Sequence, residues 1–369
     1  MPSPPGMFVL DTRAAELIYG PPQRQAIESA VQLLHPSPLS PTAALREYRD
    51  VLAQAEVVFS GWGGPQLTEE FLDAAPALKV VFYGAGAVAQ VVTDSSWDRG
   101  VKITSAYAAN AIPVAQYALA TLLFSLKHGF ALARQTRQTR SFPPRDGAPG
   151  CYQATVGLIS LGMIGRTLLK YLAPFEFKVL AYDPMLTARE AQELGVERAS
   201  LEELFRRSDA VSIHTPCLPE TEGLITGAHL ASMKHGAAFI NTARGSIVRE
   251  HEMIEVLSRR RDLQAVLDVA AGEPPPKDSP LYSLPNVTLT PHIAGSVGNE
   301  CRRMGQLMVE ELGRYVTGEP LKWEVTRDLA EHSCHRPVSR PREADEPKLT
   351  VKVRARSKPI RMTGDTAVR

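Results

Sequence analysis

One ten-residue run constrains this chain more than any other: VGLISLGMIG, Val156–Gly165, with an acid, Asp183, eighteen residues past its last glycine. An apolar strand pattern leads into the run and an amphipathic helix pattern, Ile164–Tyr171, leads out of it. A second strand, VLAYD, ends on Asp183. The dinucleotide fingerprint is G-x-G-x-x-G between strand and helix, with an acid closing the next strand. Gly162 would let the backbone approach a pyrophosphate, and Gly165 would let the helix lie close on the sheet. The helix N-terminus would offer free N–H groups and a positive dipole end to the phosphates. A carboxylate at 183 accepts hydrogen bonds from both ribose hydroxyls and repels a 2′-phosphate, which favours NAD over NADP. The first glycine position holds Ser160, which can make such a turn only with a negative φ or under strain.

The segments around this turn alternate in the same way. MFVLD (Met7–Asp11), EVVFS (Glu56–Ser60), LKVVFY (Leu78–Tyr83) and VKIT (Val101–Thr104) read as buried strands, with helices at Pro22–Leu34 and Thr68–Ala75. That is the pattern of a small parallel α/β domain. An apolar stretch, Val114–Ser125, reads as a long buried helix, and the Pro-, Gly- and Arg-rich Thr136–Gly150 as a surface loop or domain crossing. A second α/β series then places strands at Thr155–Ile159, Lys178–Tyr182, Ala210–His214, Ala237–Asn241, Gln264–Val269 and Val287–Leu289. Helices include Glu250–Arg260 and Asn299–Val316.

Two domains are expected for 369 residues, and a formal charge of +1 gives the body no field for nucleic acid or anionic membrane. No run of eighteen uninterrupted apolar residues predicts a membrane span. Cys151, Cys217, Cys301 and Cys334 form no zinc pattern and read as reduced thiols of a cytoplasmic protein. From His332 the composition changes to ten Lys/Arg against four Asp/Glu with four prolines, the composition of a disordered tail. Nucleic acid could be met only there. There is no Walker loop, nucleophile elbow or metal motif.

Ligands of an open parallel sheet sit beyond the carboxyl ends of its strands. Three strands of the second series end in reactive residues: Arg244 in FINTARG, Asp268 and then Glu273 in LDVAAGEP, and His292 in LTPHIAG. An arginine forks onto a carboxylate and polarises an adjacent carbonyl. A histidine exchanges a proton with a hydroxyl, and a glutamate on its other ring nitrogen fixes the tautomer. A nicotinamide carries hydride, which the protein need only aim. His214 and Pro216, at another strand end, read as lining of the cofactor groove. His128, His229, His235 and His251 read as surface or core.

The motifs GLISLGMIG, VLAYDP, VSIHTPCLPET, FINTARGSIV, LDVAAGEP and TPHIAG, in this order, resemble the D-isomer-specific 2-hydroxyacid dehydrogenase family over most of Leu78–Tyr315. The resemblance implies two Rossmann- or flavodoxin-like parallel-sheet α/β domains with a cleft between them. The NAD-binding domain, 107–297, would be inserted into a substrate domain made of 1–106 and 298–331, with the tail at 332–369. Arg244, Glu273 and His292 match the family's catalytic trio, and Asp268 the residue holding the nicotinamide carboxamide. Further cofactor contacts are expected at Ser160, Met163, Ile164, Thr215, Thr221, Thr242, Ala243, His292 and Ala294. The loop FYGAGAV would offer the N–H groups of Ala85 and Gly86 to the substrate carboxylate, beside Arg244 and His292. The resemblance further implies a homodimer, to which the Val114–Ser125 helix would contribute, and a small 2-hydroxy or 2-oxo acid as substrate.

Departures are Ser160, Gln116 where the family often has Glu, Ala270–Gly272 after the Asp-Val pair, and Ala87–Gln90 after the substrate loop. Two other readings are compatible with the same motifs: a dinucleotide-sensing corepressor or scaffold, and a degenerate homologue that binds NAD weakly. Glu273 argues against action on formate. Trp62, Tyr83, Tyr107 and Met304 are candidates for the substrate wall, or equally for core.

Overall fold

The computed structural model describes residues 3–331. The tail at 332–369 and Cys334 lie outside the described residues. Two all-parallel sheets organise the chain. The first holds β1 (Pro5–Phe8), β2 (Gln32–Leu33), β3 (Val57–Ser60), β4 (Val80–Tyr83) and β5 (Lys102–Ser105), in the order β2-β1-β3-β4-β5. The second holds β6 (Thr155–Ile159), β7 (Lys178–Tyr182), β8 (Glu197–Arg198), β9 (Ala210–Ile213), β10 (Ala238–Asn241), β11 (Gln264–Leu267) and β12 (Val287–Leu289). Its order is β12-β11-β10-β9-β6-β7-β8.

The central strands are short, apolar and buried along their whole length, as VVFS, VVFY and AFIN are. Parallel sheets covered by helices on both faces select such runs. Phe8, Phe59 and Phe82 line one face of the first sheet, and the helix Cys301–Thr317 adds Met304, Met308 and Leu312 to the same core. Each such side chain contributes roughly 1.5–3 kcal/mol by leaving water. The long helix Tyr107–Ser125 sets Ala115, Ala118 and Leu122 against Val156, Leu158 and Ile240 of the second sheet. By length and composition alone this helix could cross a membrane, yet half of its most apolar window is buried here.

The helix expected over Pro22–Leu34 stops at Ala30. Val31 turns extended, and Gln32–Leu33 pair with Pro5–Gly6 as an edge strand. Gly6 makes that approach possible, because a Cβ there would lie 2.6 Å from Val31 Cγ1. Part of the loop expected over Thr136–Gly150 is also helix: Gly129–Thr139 runs into it and ends at Arg140, in left-handed backbone.

Candidate active site

The strand order of the second sheet reverses between β6 and β9, the place where open α/β sheets receive ligands. Ser160 leaves β6 there with φ +71°, so the turn keeps the left-handed backbone a glycine would adopt. Its Oγ lies 2.9 Å from Thr215 Oγ1, at the end of β9, which ties the two strand ends together. Leu161 N–H donates to Asp183 Oδ2 at 2.7 Å, and Met185 N–H donates to Asp183 Oδ1 at 2.8 Å. The acid therefore fixes the turn as well as closing β7.

The two glycines play different parts. A Cβ on Gly165 would meet the Ser160 carbonyl oxygen at 2.4 Å, so the helix Met163–Leu172 lies against its strand only because residue 165 has no side chain. A Cβ on Gly162 would find open space. No side chain caps this helix, so its first N–H groups face the open space in front of Gly162. Met163 and Ile164 follow at the exposed and half-exposed start of the helix.

Beyond β9, His214 is buried and neither ring nitrogen has a partner among the described residues; burial holds its pKa down to about 4. Thr221 Oγ1 donates to the Pro216 carbonyl at 2.7 Å and accepts from Leu218 N–H at 2.9 Å, shaping the loop after Pro216. Thr242 is buried past β10 with its hydroxyl unpartnered among the described residues, and Ala243 N–H donates to Asn241 Oδ1. A cleft edge with two orphaned polar side chains, an uncapped helix and space before Gly162 fits a dinucleotide lying across β6, β9 and β10.

Arg244, Glu273 and His292 follow β10, β11 and β12, three neighbouring strands. His292 Nδ1 lies 2.7 Å from Glu273 Oε2, and the pair is close to half exposed. Arg244 Nη1 donates to the Ala243 carbonyl at 2.6 Å, and its remaining N–H groups, which have no acceptor among the described residues, can fork onto an anion. His292 sits at φ +53°, and Asp268 holds that backbone in place. Asp268 Oδ1 accepts from Thr290 Oγ1 (2.7 Å) and Ile293 N–H (2.8 Å), and Oδ2 accepts from Ala294 N–H (2.7 Å). Tyr117 on the long helix meets Thr290 Oγ1 at 2.7 Å; burial raises its phenol pKa.

The sequence reading missed four residues that support this arrangement. Tyr117 and Thr290 are two. Glu250, at the start of the helix Glu250–Arg259, accepts Ala271 N–H at 2.8 Å. The loop on which Glu273 rides continues into Pro274–Pro276, which have no N–H to donate, so this bond holds it from the donor side while Tyr282 Oη and Ser279 N–H hold the Pro275 and Pro276 carbonyls. Asn110 is the fourth. Its Oδ1 accepts Ser296 N–H at 2.8 Å, and its Nδ2 would lie 3.2 Å from a Cβ on Gly86. It thus bonds the loop after His292 and lies close beside Gly86. Thr290 stands inside the TPHIAG motif, but its partners Tyr117 and Asp268, like those of Glu250 and Asn110, are brought near only by the fold. In the Ala85–Gly86 loop both carbonyls turn to the Ser105 hydroxyl, and the two N–H groups have no protein acceptor among the described residues.

The NAD binding domain of the D-isomer specific 2-hydroxyacid dehydrogenases, as a family model, matches residues 119–294. D-3-phosphoglycerate dehydrogenase of Mycobacterium bovis is 35% identical over 254 residues, 68% of this chain and 47% of that protein. The chain thus spans about half the length of the phosphoglycerate dehydrogenases it matches. Hydroxypyruvate reductase of Thermotoga maritima is 31% identical over 252 residues, 67% of this chain and 80% of that protein. A solved structure of a Thermus thermophilus protein superposes with TM-score 0.69 at 28% identity, over 87% of this chain and all of that one. The chain belongs to the D-isomer specific 2-hydroxyacid dehydrogenase family, whose members named here are dehydrogenases and reductases.

Proposed function

We propose that the chain is an NAD-dependent oxidoreductase that interconverts a D-2-hydroxy acid and its 2-oxo acid. The observation that carries this reading is the His292–Glu273 contact of 2.7 Å at strand ends next to the one that bears Arg244. When bound, the reduced nicotinamide supplies hydride to the carbonyl carbon. Arg244 forks onto the substrate carboxylate and polarises the neighbouring carbonyl, with the Ala85 and Gly86 N–H groups as further donors. Glu273 accepts a hydrogen bond from Nδ1–H of His292, which keeps that proton on Nδ1 and leaves Nε2 for the substrate. His292 gives its Nε2 proton to the carbonyl oxygen as hydride reaches the carbon, and the 2-oxo acid leaves as a 2-hydroxy acid. In the reverse direction neutral His292 takes the hydroxyl proton. Asp268 acts by holding the His292 loop and would be the residue to meet the nicotinamide carboxamide.

Asp183 supports NAD over NADP, since a 2′-phosphate would meet its carboxylate. The domain boundaries that fit this reading are 1–106 with 298–331 for the substrate and 107–297 for NAD. A homodimer fits the surface: the helix Gly129–Thr139 has no buried residue despite Phe130 and Leu132, and Phe124, Phe142 and Tyr152 are exposed near it in sequence. Free Cys151, Cys217 and Cys301 suit a reducing cytoplasm.

The test is oxidation of NADH by purified protein with a panel of 2-oxo acids. His292→Gln should lower kcat roughly a hundredfold or more. NADH binding without turnover of any acid would favour a dinucleotide sensor instead.

A further inference from the structure

The first sheet has its own reversal of strand order, between β1 and β3. Trp62 stands there, two residues past the end of β3. Its carbonyl accepts Asp11 N–H, from the end of β1, at 3.2 Å. β3 and β4 pair in parallel with Ser60 opposite Tyr83, so the turn bearing Trp62 and the loop bearing Ala85 leave the same edge of the sheet from neighbouring strands. Three glycines shape the turn that presents it. A Cβ on Gly61 would meet Ile18 Cδ1 at 2.7 Å and one on Gly64 would run into Ser60 Oγ, while Gly63 takes φ +70°. Trp62 remains 38% exposed.

The other candidates for the substrate wall are not free in this way. Met304 and Tyr83 are buried, and Tyr107 packs edge-on to Trp323 with centroids 5.6 Å apart. Apolar exposure recurs on the opposite loop, where Ile293 and Val297, following His292, are 40% and 51% exposed. Asn110 bonds that loop and lies close beside Gly86, so the two loops are near neighbours. The three loops 61–67, 84–92 and 293–299 contain no Asp, Glu, Lys or Arg. Arg244 is committed to the carboxylate. No cation in these loops is left for a second anionic group, and Asp11 beside Trp62 adds a negative charge.

We propose that the cleft takes a 2-oxo acid whose side chain is aromatic or branched aliphatic, seated against Trp62, and disfavours phosphorylated acids. The proposal rests on the dehydrogenase reading above. An apolar side chain that enters such a pocket leaves water, and one methylene alone is worth tenfold or more in discrimination. A phosphate would enter with its charge unpaired.

The experiment compares kcat/KM of the full chain, with NADH, for phenylpyruvate, 4-methyl-2-oxopentanoate, pyruvate, hydroxypyruvate and 3-phosphohydroxypyruvate. The better of the first two should exceed each of the last two by about tenfold or more. Trp62→Ala should remove most of that advantage while pyruvate changes little, and Trp62→Phe should keep it; thermal melts check that both variants fold. If 3-phosphohydroxypyruvate or hydroxypyruvate is the best substrate, or if Trp62→Ala slows all five equally, the substrate proposal is wrong and the dehydrogenase reading stands. If none of the five is reduced, the dehydrogenase reading falls and the proposal falls with it.

Discussion

Replacing His214 by Gln should change how the fold responds to acid. His214 is buried, and desolvation holds its pKa down to about 4 in the folded chain. In the unfolded chain a histidine titrates near its ordinary value of about 6.5. Above that value both states are neutral and the group contributes no pH dependence. As pH falls from about 6.5 toward 4, the unfolded chain binds a proton that the folded chain refuses, so stability is lost. Integrating that difference between pH 7 and pH 5 gives a loss of about 2 kcal/mol from this one side chain. Glutamine has no proton to gain, so His214→Gln should shed that much less over the same interval. Urea unfolding of both proteins at the two pH values, followed by intrinsic fluorescence, measures it. Equal losses in wild type and variant would refute the reasoning, because they would show that His214 is protonated in the fold or solvated on opening.

The two glycines of the cofactor turn should separate cleanly. Gly165→Ala drives a methyl into the Ser160 carbonyl and should cost roughly 1–3 kcal/mol, read as a lowered melting temperature. Gly162→Ala meets nothing in the protein, so its melting temperature should stay within a degree or two of wild type (about 0.5 kcal/mol) while NADH affinity falls. Glu250→Ala frees the Ala271 N–H and should lower kcat more than it raises KM, with the pH profile of kcat/KM moving toward that of Glu273→Gln. Glu250→Gln keeps an acceptor and should restore most of the rate; equal defects in both would assign the residue to folding alone. Asp183→Asn should narrow the preference for NADH over NADPH in kcat/KM by about tenfold, one unit charge near the ribose being worth roughly a kcal/mol or more; an unchanged ratio would remove the acid from cofactor choice.

Much of the cofactor half was legible before any coordinates. The strands at Thr155–Ile159, Lys178–Tyr182 and Val287–Leu289 were readable to the residue, because buried parallel strands are short apolar runs punctuated by glycine and polar turns. The helix Pro22–Leu34 was overextended, since a two-residue edge strand leaves no period of its own and Gln32–Leu33 continue the helical pattern. The sequence posed Ser160 as a choice between negative φ and strain. The structure takes the left-handed turn and closes it with Thr215, a partner 55 residues away that no local pattern could supply. The meeting of Arg244, Glu273 and His292 at neighbouring strand ends was readable because each sits in a strand-end motif. Glu250 and Asn110 were not, because their roles depend on backbone groups brought near only by the tertiary fold. Trp62 was visible only as one of four aromatic or apolar candidates until exposure separated it from Tyr83 and Met304.

The central claim is that this cleft moves a hydride to the carbon of a 2-oxo acid while His292 protonates its oxygen. It is tested most directly by incubating the protein with a 2-oxo acid and NADH deuterated on the transferring face of C4, then analysing the product by mass spectrometry and chiral chromatography. The account predicts the D-2-hydroxy acid with one deuterium at C2 from the wild type, and at least a hundredfold less of it from His292→Gln at equal NADH occupancy. Bound NADH with no labelled product from any acid, or full labelling by the His292 variant, would contradict it.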